Sequence, residues 1–242
     1  MSMLVIDYSC GIRLSTAVAF SAAINTAAKN GILVKGSNFI EELSKAETVI
    51  FDKTGTITEG VLKLVDVLQG DGTTYTTGDT EGLPFEEASN TLKNELKAGL
   101  GLNNDSVISD GVAIDSNQTD RALMTFLNSY NLVPESRDAI VSKEAFTSAT
   151  KFSSVTLSTG ETYIKGAPEI ILSDVTKYIK KDGSVGDFTS EVAEAFNSAS
   201  VEQANRSMRV LAIVKEVGGV KTLVAGVCIR DNVRQGIKET VR

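Results

Sequence analysis

The chain has 242 residues, enough for one large domain or two smaller ones. Its hydrophobic share of 42% and charged share of 23% are typical of an ordinary folded protein. The formal net charge of −7 and the lack of a basic run argue against a nucleic-acid partner, because phosphate backbones favour clustered Lys and Arg. The chain has no histidine, which excludes His-based triads and His metal ligands. Cys10 and Cys228 lie far apart and make no disulfide framework, so a reducing compartment is expected.

The N-terminal stretch MLVIDYSCGIRLSTAVAFSAAINTAAKNG is rich in Ala, Ser, Thr and aliphatic residues. Asp7 and Arg13 interrupt it, so it contains no run of roughly twenty apolar residues that would form a complete membrane span. It also lacks the charged-then-apolar order of a signal peptide. Two interpretations stay open: an amphipathic helix, or the end of a membrane helix whose beginning is absent.

The next elements are short. After Gly31 the sequence predicts a strand, a turn, a helix with its charges outward, and a buried strand Thr48–Phe51. The segment VLKLVDVLQGDGTTYTT alternates apolar and polar residues and breaks at Gly70–Gly72, which predicts a hairpin. Helical spacing then runs from Pro84 to about Leu100.

The middle of the chain mixes helices with strands. The polar stretch 101–111 predicts a loop, and QTDRALMTFLNSYN predicts a short amphipathic helix. Three β-like runs follow: AIVSKEAF, FSSVTLS and ETYIKG. APEIILSD predicts a helix with Pro168 in its first turn, and DFTSEVAEAFNSASVEQANRS predicts a longer one. MRVLAIVKEV and KTLVAGVCI predict two strands joined at Gly218–Gly219, before RDNVRQGIKETVR opens another helix.

The segment VIFDKTGTITEG carries the first sign of chemistry. If its apolar part is a strand, Asp52 stands at the carboxyl edge of a sheet, where open α/β folds bind ligands. Lys53 favours a polyanion, and the Thr-Gly-Thr that follows offers hydroxyl and backbone N–H groups to phosphate oxygens. Two interpretations remain at this point. Asp52 accepts a phosphoryl group as a covalent nucleophile, with Mg²⁺ neutralising the oxygens, or it merely caps the following turn.

The string DKTGTIT resembles the phosphorylation signature of P-type ATPases, the ion pumps of haloacid-dehalogenase-like fold. The resemblance implies that Asp52 takes the γ-phosphate of ATP, with Lys53 and Thr54 as the adjoining catalytic residues. Thr54 replaces the acid/base aspartate of hydrolytic relatives, which fits a phosphoenzyme that persists. Asp52 and Thr54 would also contribute to the Mg²⁺ site, which this sequence leaves incomplete.

Motifs further along the chain agree with this family in order and spacing. In FTSATKFSSV, Phe146 and Lys151 take the places of an aromatic that stacks on adenine and of the lysine after it. The string KGAPE resembles a second family signature, whose Lys165 and Gly166 belong to the implied adenine pocket. The string QTDRAL resembles TE-x-AL and puts Asp120 where the family has an acid near the adenine.

The last matching motifs lie near the C-terminal end. MRVLAIV resembles the segment whose arginine, here Arg209, reaches the nucleotide phosphates. GVCIRDNVRQGI resembles the D-P-x-R return to the phosphorylation domain, with Asp231 and Arg234 matching and Asn232 replacing proline. The resemblance implies that Asp231 and Arg234 also belong to the nucleotide-binding residues. Each motif alone has a plainer reading as core or surface, and the resemblance rests on all of them together.

Two strings look like further family elements and are interpreted otherwise. The string GDG at Gly70–Gly72 and the string TGD at Thr77–Asp79 come directly after Asp52, whereas the family's versions follow the whole nucleotide domain. We interpret both as hairpin and loop turns rich in Gly and Asp. Because the true elements are absent before Arg242, the sequence is expected to be a fragment in which turnover is inefficient.

The identity of the transported ion stays open. The N-terminal stretch resembles the heavy-metal branch, in which Cys10 matches the second cysteine of a CPC-type motif and is a candidate ligand of the transported ion. A lone thiolate is a poorer site for soft metals than a pair, and a small apolar helix residue is the alternative reading of Cys10. The central block with KGAPE resembles the calcium- and magnesium-pump style instead.

The resemblance implies a mixed α/β and α+β architecture. Residues 1–30 would end a membrane helix or stalk, and 58–225 would form an inserted nucleotide-binding domain of antiparallel sheet and helices. Residues 31–57 and 226–242 would form part of a haloacid-dehalogenase-like, Rossmann-like phosphorylation domain.

The implied function is the cytoplasmic ATP-binding and phosphorylation portion of a multi-pass membrane cation pump. Its cofactors would be ATP and Mg²⁺, and its partners the transported cation and the remaining membrane and actuator domains; the fragment itself is expected to be soluble. Two alternatives are a nucleotide-binding module without turnover and a free-standing phosphatase of the same superfamily. Thr54 argues against the phosphatase.

Overall fold

A computed structural model describes residues 2–48, 58–78 and 80–233 of the chain. The chain divides into two compact units, Met1–Phe51 and Asp52–Arg242. The predicted catalytic residues Asp52, Lys53 and Thr54 lie outside the described residues.

The first unit contains two helices, α1 (Ser2–Lys29) and α2 (Ser37–Ser44). Helix α1 ends at Lys29. Gly31, two residues further on, has a left-handed φ of 77°, and the N–H of Ile32 donates to the carbonyl of Ala27 at 2.9 Å. This is the glycine-terminated helix end that satisfies otherwise unpaired carbonyls. The predicted strand after Gly31 is wrong, because residues 32–36 form no strand. In the described part of the chain, no helix combines the length and the apolar character that crossing a membrane requires.

The second unit is built on one large sheet. Its described strands are β1 (Thr58–Leu68), β2 (Thr74–Thr76), β3 (Leu83–Pro84), β6 (Ile140–Glu144), β7 (Phe152–Leu157), β8 (Thr162–Gly166), β9 (Val175–Ile179), β10 (Val185–Asp187), β11 (Arg209–Val217) and β12 (Val220–Val233). The spatial order is β3-β2-β1-β12-β11-β8-β7-β6, with β9 pairing β12 and β10. A separate hairpin joins β4 (Val107–Ser109) to β5 (Val112–Ile114).

Most strand pairs in the sheet are antiparallel, as predicted for residues 58–225. Among the described strands only β2–β3 and β9–β12 run parallel. The predicted turn at Gly218–Gly219 joins β11 to β12, and both glycines have the positive φ that this tight hairpin requires. The predicted hairpin at Gly70–Gly72 is also confirmed, since it connects β1 to β2.

Helices cover both faces of the sheet. On one face α3 (Asn90–Gly101) and α4 (Gln118–Ser129) bury a core that includes Leu92, Leu96, Leu123 and Leu127. On the other face α5 (Pro168–Ile171) and α6 (Ser190–Asn205) bury a second core around Phe196. Neighbours along β1 serve different cores, Val67 the first and Leu68 the second, because successive strand residues point to opposite faces.

The structure corrects two predicted elements. The helix predicted from Pro84 is interrupted: a 3₁₀ turn spans Phe85–Glu87, and α3 starts only after Ser89. The Ser89 side chain accepts a hydrogen bond from the Leu92 N–H and so caps the new helix start. The loop predicted for residues 101–111 contains strand β4.

The fold class is thus a mixed α/β unit with a large sheet, and the described residues do not show the implied phosphorylation domain. Strand β12 continues through residue 226, where the sequence predicted the return to that domain, and pairs with β1 up to Val233. The predicted domain boundaries stay predictions.

Candidate functional site

A cavity of about 800 Å³ opens where β7 and β11 begin, β8 ends and α4 starts. This volume lies within the usual range of small-molecule sites. The motifs 118–123, 146–155, 165–169 and 208–214 nominated six described residues for nucleotide binding. All six line the cavity: Asp120, Phe146, Lys151, Lys165, Gly166 and Arg209.

The wall of the cavity contains a buried ion pair. Lys165, in β8, donates from Nζ to Asp120 Oδ1 at 2.7 Å, and both side chains are about nine-tenths buried. The same ammonium donates to the backbone carbonyl of Asn103 at 2.7 Å. A buried cation needs such partners, because without the carboxylate its charge would be uncompensated and without the carbonyl an N–H group would lose its acceptor.

The second carboxylate oxygen of Asp120 is also occupied. Its Oδ2 accepts from the Ser116 hydroxyl at 3.0 Å, the Asn117 amide at 3.3 Å and the backbone N–H of Asp105 at 3.5 Å. Burial alone would raise the pKa of Asp120, but the Lys165 ammonium and these donors outweigh it and hold the pKa below its usual value. Asp120 is therefore an ionised hub that joins the start of α4 to the segment 103–106.

The segment 103–106 is a part of the site that sequence reasoning missed. Asn103 is buried and donates from its amide to the carbonyls of Ser153 at 3.0 Å and Tyr163 at 3.3 Å. Asn104 is buried as well and donates to the carbonyl of Asp120 at 3.0 Å. The run GLNNDS was predicted to be a loop from its polarity, and its only sequence signal was two adjacent asparagines after an apolar helix end.

Phe146 offers an aromatic face at the cavity. It follows strand β6, and 59% of its surface is exposed although it is a large apolar residue. An exposed aromatic in a cavity wall is suited to stacking on a planar ligand.

The segment after Phe146 is tightly wound. Lys151 adopts a left-handed φ of 59°, which is uncommon for a residue with a side chain. The Lys151 N–H donates to the carbonyl of Thr147 at 2.8 Å, and the Lys151 carbonyl accepts from the Ala167 N–H at 3.1 Å. These two bonds fix the backbone of Lys151 at the rim of the cavity.

The charges in the cavity are divided between paired and unpaired groups. The Lys143 and Lys165 ammonium groups are held by Asp105 and Asp120 respectively. Within the described residues, the other two cations of the lining, Lys151 and Arg209, form no ion pair. The cavity thus combines an aromatic face with two cations that are available to an anionic ligand.

Asp231 does not join this group. It lies in β12 and accepts hydrogen bonds from the Thr58 hydroxyl at 2.6 Å and the Gly60 N–H at 3.0 Å, so it links the end of β12 to the start of β1. Arg234 and the side chain of Cys10 lie outside the described part of the chain. Among the described residues, no group of three or more Cys, Asp or Glu side chains is placed to hold a metal ion.

Of the two strings interpreted as turns, the structure describes GDG completely and TGD only in part. At Gly70–Gly72 the Gly72 N–H donates to the carbonyl of Gln69 at 3.0 Å, and Asp71 accepts from the Thr73 N–H at 2.9 Å, as in an ordinary turn. Of the TGD string, the described Thr77 is tied to β1 through the Val65 carbonyl, and Asp79 lies outside the described residues.

Comparison with known proteins identifies a family that matches part of the chain. Residues 91–217, slightly more than half of the chain, match the family model of the P-type ATPase cytoplasmic domain N. The matched range contains all six cavity residues that the motifs nominated.

The chain is also similar to curated metal-transporting pumps. It is 44% identical over 70 residues to the zinc-transporting ATPase of Synechocystis sp., covering 29% of this chain and 10% of that protein. It is 45% identical over 69 residues to a probable cadmium-transporting ATPase of Listeria monocytogenes, covering 28% and 10%. It is 47% identical over 60 residues to the manganese-exporting P-type ATPase of Mycobacterium tuberculosis, covering 25% and 8%. The chain thus matches a tenth or less of the length of these relatives.

Proposed function

The chain belongs to the P-type ATPase family, and on that basis we propose that its cavity binds the adenine nucleotide of a metal-cation pump. The observation that carries the proposal is the convergence of four separate sequence motifs on one cavity. Asp120 and Arg209 are far apart in the sequence but line the same cavity. Local packing alone does not require them to lie together.

The residues of the cavity suit the two halves of ATP. The exposed ring of Phe146 would stack on the adenine, since every purine presents a π-face. Lys151 and Arg209, which form no described ion pair, would contact the phosphate oxygens. Lys165, held by Asp120 and the carbonyl of Asn103, would present a fixed positive charge at the wall of the pocket.

In the complete pump, ATP held here would deliver its γ-phosphate to Asp52. The carboxylate oxygen would form a bond to the γ-phosphorus while the bond to the bridging oxygen of ADP breaks, and ADP would leave. Mg²⁺, with Asp52 and Thr54 among its ligands, would supply charge neutralisation on the phosphate oxygens. This step is carried by the DKTGTIT motif alone.

The proposed cargo is a transition-metal or related divalent cation. The relatives with 44–47% identity are named for zinc, cadmium and manganese, which favours the heavy-metal reading of the N-terminal stretch over the calcium- and magnesium-pump reading. Cys10 is the candidate ligand of that cation. The pump would be a multi-pass membrane protein, with this part facing the cytoplasm next to the membrane and actuator domains.

The nucleotide site is tested by calorimetric titration of the chain with ATP. Phe146→Ala should weaken binding by about tenfold or more, because it removes a stacking interaction of about 1–3 kcal/mol. Phe39→Ala is the matched control, since Phe39 is 53% exposed and does not line the cavity. Equal affinity of the two variants would contradict the proposed site.

The phosphorylation step is tested separately with γ-labelled ATP and Mg²⁺. In a chain long enough to complete the Mg²⁺ site, an acid-stable, hydroxylamine-labile label is expected that disappears in Asp52→Asn. Binding of ATP without such a label in that longer chain would make the protein a nucleotide-binding module without turnover.

A further inference from the structure

Asn103 is a polar residue buried in the wall of the cavity, with only 1% of its surface exposed. It lies two residues after the end of α3, and its side chain and its backbone have different partners. The side-chain amide donates to the carbonyls of Ser153 in β7 and Tyr163 in β8. The backbone carbonyl accepts from the Lys165 ammonium at 2.7 Å. One residue therefore joins two strands to a buried cation.

Only the donor half of the Asn103 side chain is used. Nδ2 makes both hydrogen bonds to the strands, whereas the buried Oδ1 accepts no hydrogen bond from any described residue. A buried acceptor without a partner lowers stability, and an apolar side chain of the same size would avoid this loss. An amide has two N–H groups, one for each of the two carbonyls. The amide is thus explained by the strands that it joins.

The end of α3 holds Asn103 at this position. A Cβ atom on Gly99 would stand 2.6 Å from Cγ2 of Ile213 and 3.3 Å from Cδ1 of Tyr163, so the last turn of the helix lies directly against the sheet. One turn earlier, Glu95 Oε2 accepts from the Tyr163 hydroxyl at 2.6 Å. Because the helix and the strands are both fixed to it, the Asn103 carbonyl has little freedom to move.

The Lys165 ammonium depends on this carbonyl for one of its hydrogen bonds. It has three N–H groups, of which two donate to Asp120 Oδ1 and to the Asn103 carbonyl. The third has no acceptor among the described residues, and the first two bonds fix its direction. Burial lowers the pKa of Lys165, and the Asp120 carboxylate offsets this only in part. Loss of an acceptor would therefore favour the neutral amine.

We propose that Asn103 is a positioning residue of the cavity: its side chain, anchored to β7 and β8, holds its own carbonyl against Lys165 and keeps this lysine charged and oriented. The consequence for nucleotide binding rests on the proposed function of the cavity. Asn103 acts through Lys165 and does not itself contact the nucleotide. The competing explanation is that its two hydrogen bonds to the strands serve only the stability of the fold.

The test replaces the amide and leaves every charge of the cavity in place. Asn103→Leu is similar in size and removes both donors. Gln203→Leu is the matched control, because Gln203 is also a buried amide whose Oε1 has no described partner, but it lies in α6 and outside the lining. The charged groups of the lining that surround Lys165 stay unchanged: Asp105, Asp120, Lys143, Lys151, Glu169 and Arg209.

The first measurement is the titration of Lys165 in the chain without nucleotide. It is followed by NMR of the lysine ε-carbon, whose signal is assigned by its loss in Lys165→Met. Asn103→Leu should move the midpoint to lower pH, because the displaced carbonyl no longer stabilises the ammonium form. Gln203→Leu should leave the midpoint in place. An unchanged midpoint in a folded Asn103→Leu chain would overturn the proposal, whatever the change in stability.

The second measurement is the affinity for ATP by calorimetry. Asn103→Leu should weaken ATP about tenfold, in keeping with the loss of one hydrogen bond to a charged group. The double variant N103L/K165M should bind ATP no more weakly than Lys165→Met alone, whereas losses that add would show that Asn103 does not act through the lysine. If the wild-type chain does not bind ATP, the proposed function is wrong, while the titration still decides whether Asn103 positions Lys165.

The wild-type chain provides the test if Asn103→Leu does not fold, which circular dichroism establishes. The NMR signals of the Asn103 side-chain amide should then shift with the same midpoint as Lys165, because the two groups share one carbonyl-bearing residue. This shift should be absent from Lys165→Met. Amide signals that do not follow the titration of Lys165 would overturn the proposal.

Discussion

Lys151 and Gly166 meet through their backbones: a Cβ atom on Gly166 would stand 2.6 Å from the carbonyl oxygen of Lys151. It would also stand 2.6 Å from the Cβ atom and 2.8 Å from the Cα atom of Phe152. Neither neighbour can yield easily, since both belong to the backbone or sit directly on it. The glycine of the KGAPE string therefore allows β8 and the Phe146–Lys151 segment to close the cavity together.

We expect Gly166→Ala to push these two segments apart. The free energy of unfolding should fall by about 1–3 kcal/mol, and the ATP affinity should fall roughly tenfold because Lys151 and Lys165 both move. Urea unfolding and calorimetry measure the two effects. Gly111→Ala is the control: its φ of 77° costs about 1 kcal/mol of stability, but it lies outside the cavity lining and should leave the affinity unchanged.

The second prediction concerns Asp231, which the motif nominated for nucleotide binding. Because it bonds to Thr58 and Gly60 and does not line the cavity, Asp231→Ala should lower the free energy of unfolding by about 1–3 kcal/mol and leave ATP binding unchanged.

Arg209→Ala should behave in the opposite way. Arg209 is exposed and lines the cavity, so its loss should weaken ATP and change stability by less than about 0.5 kcal/mol. A loss of ATP affinity in Asp231→Ala that matches the loss in Arg209→Ala would restore the motif-based role of Asp231.

The third prediction is a pH dependence set by Asp66, a fully buried carboxyl in β1. Burial raises its pKa above the usual range, and hydrogen bonds from Thr80 and Thr76 with nearby Arg206 and Arg230 offset this only in part. The folded state then holds this proton at pH values where the unfolded state, with a pKa of about 3.9, has released it. The contribution of Asp66 to stability is thus present at low pH and is lost as the pH rises from about 4 through the folded-state pKa.

Urea unfolding at a series of pH values tests this sign. Asp66→Asn removes the titration, so the stability of the variant relative to the wild type should increase as the pH rises over that interval. If the free energies of unfolding of the two proteins changed in parallel with pH, burial would not raise the pKa of Asp66 in the folded state.

The fourth prediction concerns Cys228, which lies opposite Asp66 in the β1–β12 pair and is fully buried. Burial, and to a lesser extent the Asp66 carboxylate, raises the pKa of its thiol, so little thiolate forms near neutral pH. In a Cys10→Ser background, a thiol reagent should modify Cys228 on the order of 100-fold more slowly than in the unfolded chain. Rapid stoichiometric labelling would mean that β12 opens readily.

Much of the sheet was predictable because its signals are local. Alternation in β7 and β8 and the paired glycines at 218–219 indicate strands and turns without reference to the rest of the chain. The hairpin of β9 and β10 has a similar turn signal, the dipeptide Asp182-Gly183, but this hairpin was not predicted from the sequence.

The site was predictable where a motif string marked it and not where long-range bonds create it. Lys165 and Asp120 were nominated by resemblance, and they form an ion pair across 45 residues of sequence. Asn103 was missed because its hydrogen bonds reach Ser153 and Tyr163, fifty and sixty residues away. A polar residue in an irregular segment looks exposed from the sequence alone, and only distant partners allow it to be buried.

The pairing of Thr58 with Val233 has a practical consequence for handling the molecule. The described part of the sheet-bearing unit begins and ends on adjacent strands, so a short linker between these two residues would close the chain into a ring without distorting the sheet. New termini can then be opened at the exposed Gly218–Gly219 turn, where an added Cβ atom would meet no neighbour. Such a circular permutant should fold and retain its cavity, which would make the proposed nucleotide site a portable module.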